Sequence, residues 1–253
     1  MAMYSRPCLP SVRTGAVSTT SCDMKRLSLG FSLLLFGGAL FGQGNDSLRN
    51  ETHIFWSENY ELQIGDFQDT IGSPKFIEAC ENQNLCWGAF TGLFSVMDVP
   101  KRKRDRRRME EVIYFAPAFE PEHSYRLTID SMDYLKQVIV FDMYELAARK
   151  CRMELDSIYQ VNPSIGIRGI FFKSVEAQVQ DNLGKMLGAY TQEVYIKELE
   201  GSYTKWRTLI DDLLEETGEY KTTATDRIRF IHNEPVLEGY ERAPTVIGNL
   251  FEE

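Results

Sequence analysis

The residues of this sequence that are best suited to acid–base or electrostatic chemistry lie together in the segment Leu135–Arg152. Lys136, Asp142, Glu145 and Arg149 place cations and carboxylates within a few turns of a predicted helix. Glu145 and Arg149 are four residues apart, which is the spacing of an ion pair on one helix face. A lysine acts as a general base only where burial lowers its pKa. By itself the segment therefore predicts an amphipathic helix and no particular reaction.

The residues that could bind a metal ion are scattered through the sequence. A catalytic zinc needs three ligands from His, Asp, Glu or Cys, together with an open position for water. The chain has three histidines, His53, His123 and His232, and none has a partner at ligand spacing. Serine-nucleophile motifs, phosphate-binding glycine loops and dinucleotide fingerprints are also missing. We therefore expect neither a metal ion nor a cofactor, while a glycosidase-like carboxylate pair stays open in so acidic a chain.

The segment also resembles the helix of an exported zinc-peptidase family, domain of unknown function 922, which reads approximately His-Glu-Gln-x-His-Phe-Asp-x-x-Glu-Leu-x-Ala-Arg-Lys. The resemblance places Lys136 and Val140 at the two histidine positions and Gln137 at the glutamate position. A lysine ammonium repels a cation, valine has no donor atom, and a glutamine amide is no base near pH 7. The resemblance thus implies a preserved scaffold without its metal site. The retained positions are Phe141, Asp142, Glu145, Leu146, Ala148, Arg149 and Lys150.

A second motif of the same family, Tyr-Asp-x-x-Thr-x-His-Gly followed by a tryptophan, aligns with Tyr190 and Trp206. This alignment places Ile196 at the position of the histidine that is the expected third zinc ligand. If it is correct, Val140 and Ile196 lie close together near Lys136. Two aliphatic side chains in place of imidazoles would make the former cleft dry and filled.

The first half of the chain has the patterns of a small sheet. We expect extended segments at His53–Trp56 and Tyr60–Phe67, one or two strands in Leu85–Met97, and a strand at Glu111–Phe119. The basic block Lys101–Arg108 lies between the last two, where a hairpin connection is expected.

In the second half the hydrophobic period changes to about 3.6 residues. It predicts helices over Ser131–Tyr159, from about Ile170 through Tyr190, and over Gly201–Glu216, followed by one short strand at Arg227–His232. Strands first and helices afterwards predict an α+β fold, in which a small, mostly antiparallel sheet packs against long helices. The resemblance implies a zincin-like version of that fold.

The beginning of the chain has the pattern of an export signal. Met24, Lys25 and Arg26 precede the apolar run Leu27–Phe41, which ends in small residues. We interpret residues 1–23 as an upstream extension, 24–42 as a signal peptide and 43–52 as a linker. The folded domain is expected over 53–216 and a partly ordered tail over 217–253. The expected location is periplasmic or extracellular.

Charge narrows the range of partners. The chain has 28 basic and 37 acidic residues, a net charge of −9, and seven of the basic residues fall in Lys101–Arg108. The rest of the surface is strongly acidic and repels nucleic acid and anionic membranes. We expect neither nucleic acid nor an integral membrane segment in the mature chain. The basic block is interpreted as a solvated loop, with a docking patch for an acidic partner or a processing site as alternatives.

Three cysteines remain after the leader: Cys80, Cys86 and Cys151. Cys80 and Cys86 flank a turn-prone stretch, and export is permissive for a disulfide between them, although a reduced pair stays open. Cys151 lies on the longest predicted helix, where a buried thiol is the expected state.

The sequence thus predicts an exported, catalytically inactive relative of a zinc-peptidase family. Its expected role is binding an unidentified protein or peptide partner, or a structural role associated with the cell envelope. One alternative is a hydrolase that uses a non-metal constellation in the same cleft, for instance Lys136 with nearby carboxylates. Another is a secreted α+β domain of unknown role.

Overall fold

The computed structural model describes residues 48–244. Its strands are β1 (Ile54–Phe55), β2 (Trp87–Gly88), β3 (Thr91–Pro100), β4 (Val112–Phe119), β5 (Tyr125–Arg126) and β6 (Tyr240–Arg242). Four of them form an antiparallel sheet in the order β1–β4–β3–β6, while β2 and β5 form a separate antiparallel pair. The strands predicted at Leu85–Met97 and Glu111–Phe119 are therefore confirmed.

The hairpin β3–β4 is the centre of the sheet. Its register runs from Thr91 opposite Phe119 to Asp98 opposite Val112. The connecting loop carries the basic block Lys101–Arg108, as expected, and most of its basic side chains are exposed. Arg106 anchors the loop, because its guanidinium donates to the Pro100 carbonyl and to the Glu241 carboxylate.

The helices are α1 (Pro74–Gln83), α2 (Ser131–Val161), α3 (Ile167–Thr191), α4 (Ser202–Glu216) and α5 (Ala224–Ile231). The three long helices predicted from the 3.6-residue period are confirmed with small shifts at their ends. Helix α2 begins where the Asp130 carboxylate accepts a bond from the Met132 N–H, a typical N-cap. It ends just before Asn162 and Pro163, because proline cannot continue the helical ladder.

The main core lies between the helix layer and one face of the sheet. It joins Phe115 of β4 to buried apolar residues of α2, α3 and α4, including Ile139, Met143, Val179 and Ile210. A second cluster surrounds the N-terminal half of α2: Leu62, Phe67, Trp87, Phe119 and Phe141. The arrangement is an α+β fold, as the order of the elements predicted.

Two predicted strands are wrong, because local side-chain hydrogen bonds set a different backbone conformation in each segment. Tyr60–Phe67 contains a 3₁₀ turn at Ile64–Asp66, because the Asp66 carboxylate accepts bonds from the Gln63 N–H and the Tyr60 hydroxyl. Arg227–His232 is largely helical, in α5, because Thr223 and Asp226 cap each other's backbone N–H groups at its start.

The segment that follows α4 makes specific contacts with earlier elements of the fold. The Thr222 N–H and hydroxyl bond to Glu145 on α2, and β6 pairs with β3. The segment 217–244 is therefore packed against α2 and β3.

Residues 1–47 and 245–253 lie outside the described residues, and with them the predicted extension, the signal peptide and half of the linker. Within residues 48–244 no helix is long and apolar enough to cross a membrane. Cys80 and Cys86 are joined in a disulfide at the end of α1, and Cys151 is a buried free thiol. Burial raises the pKa of Cys151 to about 12, so the thiol stays protonated near neutral pH.

Candidate functional site

Gln137 is a buried cross-link between two parts of the fold. Its side-chain oxygen accepts a bond from the Ala89 N–H at 2.9 Å, and its amide nitrogen donates to the Tyr195 hydroxyl at 2.6 Å. The residue is only 6% exposed. Both ends of the amide are therefore engaged. Gln137, which the family resemblance aligns with a catalytic glutamate, holds the turn before β3 against the turn that follows α3.

Lys136 and Val140 are also engaged by neighbouring residues. The Lys136 ammonium donates to the Asp133 carboxylate at 3.0 Å and lies 5.1 Å from the centre of the Tyr195 ring. A carboxylate and an aromatic face both stabilise positive charge. Val140 packs against the main core. Lys136 borders a hollow of about 320 Å³ near the start of α4, but the charged contacts of its ammonium favour neither zinc nor proton abstraction.

Ile196 is exposed on the turn that follows α3. Its side chain is 43% exposed, whereas the preceding residues Val194 and Tyr195 are buried. The cause is a π-helical turn at Gln192–Ile196, which follows α3 directly. Such a turn accommodates an extra residue and changes which side chains face inward. Tyr195 is thus the residue that packs against the face of α2 that carries Lys136.

Tyr190 and Trp206 both lie in the core beside this turn. The Tyr190 hydroxyl donates to the Lys136 carbonyl at 2.8 Å, and its ring meets the Trp206 ring edge-on, with centroids 5.6 Å apart. Burial raises the pKa of Tyr190 far above that of a free phenol. The Trp206 indole N–H donates to Glu193 at 2.9 Å. Both residues hold α3, α4 and α2 together.

The predicted ion pair of Glu145 and Arg149 exists, but it is buried. The Arg149 Nε donates to Glu145 at 2.8 Å, and the two side chains are 4% and 0% exposed. Glu145 accepts two further bonds, from the N–H and the hydroxyl of Thr222. Burial raises the pKa of the Glu145 carboxyl, and these bonds oppose that rise. The pair is thus an interior link between α2 and the segment before α5.

Asp142 links α2 to β1 and α4. One of its oxygens accepts the Trp56 indole N–H at 3.0 Å, and the other accepts Nη1 of Arg207 at 2.7 Å. Arg207 also pairs with Asp211, one turn further along α4. The Arg207 guanidinium loses hydration on burial, but its pKa is raised overall by these two carboxylates.

These interactions border a cleft of about 580 Å³, which we call the Trp56 cleft. It is lined by the segment that follows β1, by one face of α2 and by the outer part of α4. Lys136, Gln137, Val140 and Ile196 do not line it. The lining includes Trp56, Glu58, Tyr60, Glu61, Leu62, Val138, Phe141, Asp142, Arg149, Arg207, Asp211, Leu214 and Glu215.

Tyr60 forms one end of the Trp56 cleft and is fixed from behind. Its hydroxyl donates to Asp66 at 2.6 Å, and the Arg49 guanidinium lies 5.4 Å from its ring centre. Burial, followed by the hydrogen bond to Asp66, raises the pKa of Tyr60 to about 12. The phenol is therefore neutral near pH 7 and offers an aromatic wall.

Sequence reasoning singled out Asp142 and Arg149 on this cleft but missed Tyr60, Glu61, Arg207 and Glu215. One signal was present, since Arg207 and Asp211 have the i, i+4 spacing of a helical ion pair. The other residues come from segments that are distant in sequence. Their convergence depends on how α4 packs against α2.

The described part of the chain has no group of three or more His, Cys, Asp or Glu residues that could hold a metal ion. The histidines do not converge: His53 packs beside Phe94, His123 pairs with Glu120, and His232 follows α5. No family model, no curated protein and no solved structure matches this chain. The geometry of its own residues is therefore the basis for assigning a function.

Proposed function

We propose that this protein is an exported, catalytically inactive, zinc-peptidase-like protein with a zincin-like scaffold and a binding role. The observation that carries the proposal is the state of Gln137. The family resemblance aligns this residue with a general base, and both ends of its amide are used in buried hydrogen bonds. A residue held in this way neither removes a proton from water nor turns towards a metal ion.

The neighbouring positions support the same proposal. Lys136 is held in place by Asp133 and Tyr195, Val140 is packed into the core, and Ile196 is exposed on a π-helical turn. No pair of these residues supplies two zinc ligands, because none has a donor atom suited to zinc at neutral pH. The retained residues Glu145 and Arg149 support the fold through buried bonds.

Export is supported by the Cys80–Cys86 disulfide. Disulfides persist in oxidising compartments and are rare in the cytosol. The predicted signal at residues 24–42 and the disulfide thus favour the same side of the membrane. We propose a periplasmic or extracellular location.

A hydrolysis assay tests the proposed lack of catalysis. The purified exported chain is incubated with a mixed peptide library, with zinc added, and the products are identified by mass spectrometry. We expect no cleavage beyond the buffer control, with or without a chelator. Cleavage that zinc supports and a chelator abolishes would contradict the proposal, whereas cleavage insensitive to the chelator would favour the non-metal hydrolase.

A further inference from the structure

The walls of the Trp56 cleft carry more negative than positive charge. Two arginines line it, and both are held by carboxylates: Arg149 by Glu145, and Arg207 by Asp142 and Asp211. Five carboxylates line the same cleft: Glu58, Glu61, Asp142, Asp211 and Glu215. An anionic ligand would therefore be repelled, and a cationic group would be attracted.

Two of these carboxylates are free to bind a ligand. Within residues 48–244 the side chains of Glu61 and Glu215 have no ion pair and no hydrogen bond, whereas Glu58 pairs with Lys221 at 2.6 Å. Both are exposed, and they come from different elements, the segment after β1 and the last turn of α4. A cation in the cleft thus has carboxylates available from two elements.

The cleft also offers a hydrogen-bond donor from a largely buried side chain, Arg149. The Arg149 side chain is 4% exposed, and its Nε and Nη1 are used by Glu145, the Leu214 carbonyl and Thr217. Its Nη2 has no partner among the described residues, and Arg149 lines the cleft with its guanidinium 5.3 Å from the Trp56 ring centre. This nitrogen is not enclosed by the protein, so an acceptor on a ligand in the cleft can reach it.

A ligand that combines a neutral acceptor, a cation and an apolar stem is a peptide with basic side chains. A peptide carbonyl accepts a hydrogen bond without adding negative charge, and lysine and arginine side chains combine a methylene stem with a cation. Trp56, Tyr60 and Phe141 supply the aromatic surface for such stems. The volume of about 580 Å³ falls within the usual range for ligand sites.

We propose that the Trp56 cleft binds a basic peptide segment of a partner protein. The Arg149 Nη2 donates to a main-chain carbonyl of the peptide, and Glu61 and Glu215 pair with its lysine or arginine side chains. This inference rests on the binding role proposed above. It does not depend on the lost zinc site, because the cleft lies beside a different face of α2.

The test is fluorescence anisotropy of the full exported chain with a labelled, terminally blocked peptide that alternates arginine and alanine. Glu61→Gln combined with Glu215→Gln keeps the size of both exposed side chains, and we expect about a tenfold loss of affinity from two ion pairs. The matched control is Glu78→Gln with Glu81→Gln, two exposed acids on α1. This control changes the net charge equally, and we expect the affinity to be retained.

Two further probes separate the parts of the proposal. A peptide with citrulline in place of arginine keeps the carbonyls but loses the charge, and spermidine keeps the charge but has no carbonyls. We expect both to bind at least about tenfold more weakly.

Equal binding of the arginine peptide to the cleft variant, or an equal loss in the α1 control, would overturn the site. Equal binding of spermidine would overturn the role of Arg149. The hydrolysis assay reports separately on the proposed function, so a catalytically inactive chain that binds no peptide would refute this inference alone.

Discussion

The two faces of α2 differ in how many of their polar groups are bonded within the fold. On one face Gln137 is bonded at both ends of its amide and Val140 is packed into the core. On the other face Asp142 and Arg149 border the Trp56 cleft, and Arg149 keeps one nitrogen without a partner among the described residues. The first face is engaged within the fold, and the second borders an open cleft. The charged residues Asp142 and Arg149 thus lie on the face of α2 that borders the cleft, whereas Gln137 and Val140 lie on the other.

The largest expected effect comes from breaking the buried pair beneath the cleft. Glu145→Ala removes the partner of Arg149 and the acceptor of two bonds from Thr222, which leaves a guanidinium buried without its carboxylate. We expect the free energy of unfolding to fall by about 3–5 kcal/mol, measured by urea denaturation.

The matched control for this change is Glu154→Ala. Glu154 pairs with Lys150 at the same i, i+4 spacing, at 2.7 Å, but both side chains are largely exposed. We expect a loss of about 0.5 kcal/mol or less. Similar losses in the two variants would mean that burial of the Glu145 pair has been misjudged.

A smaller effect is expected on the closed face. Gln137→Ala removes both bonds of a buried amide and leaves the Ala89 N–H without its acceptor. We expect a loss of about 2 kcal/mol, since an unsatisfied buried group costs roughly 1–3 kcal/mol. Gln180→Ala, at an exposed position of α3, serves as the control and should change stability by about 0.5 kcal/mol at most. If the two substitutions cost the same, Gln137 is not a structural cross-link.

The smallest expected effect is a difference in stability loss between substitutions of Val140 and Ile196, the two aliphatic residues aligned with family histidines. Val140→Ala removes methyl groups that pack against the main core and should cost about 1 kcal/mol. Ile196→Ala alters an exposed side chain and should cost about 0.5 kcal/mol or less. A larger loss at Ile196 than at Val140 would restore the original expectation that Ile196 faces inward.

Elements with a long, regular pattern could be predicted from the sequence. Helix α2 has many turns of consistent apolar spacing, an aspartate N-cap and a proline after its end, so its bounds followed closely. Strand β4 was recognisable from its β-branched and aromatic content. Helix α5 was not, because Arg227–His232 alternates like a strand over a few residues. Its true state is set by the capping pair of Thr223 and Asp226 just before it.

The candidate site was predictable only in part, because some of its residues follow from helix spacing and others depend on tertiary packing. Arg149 was visible from its i, i+4 spacing to Glu145, and Asp142 was marked by the family resemblance. The orientation of Ile196 was not, because a π-helical turn reverses the face expected from regular periodicity. The partners Trp56 and Arg207 lie far from Asp142 in sequence, and only tertiary packing brings the three together.

The central claim is that the scaffold has lost its metal site, and zinc stoichiometry tests it most directly. The purified chain, with its disulfide intact, is equilibrated with excess zinc, exchanged into zinc-free buffer and weighed by native mass spectrometry. We expect the mass of the metal-free protein. A mass increased by one tightly held zinc ion, removable by a chelator, would contradict the account.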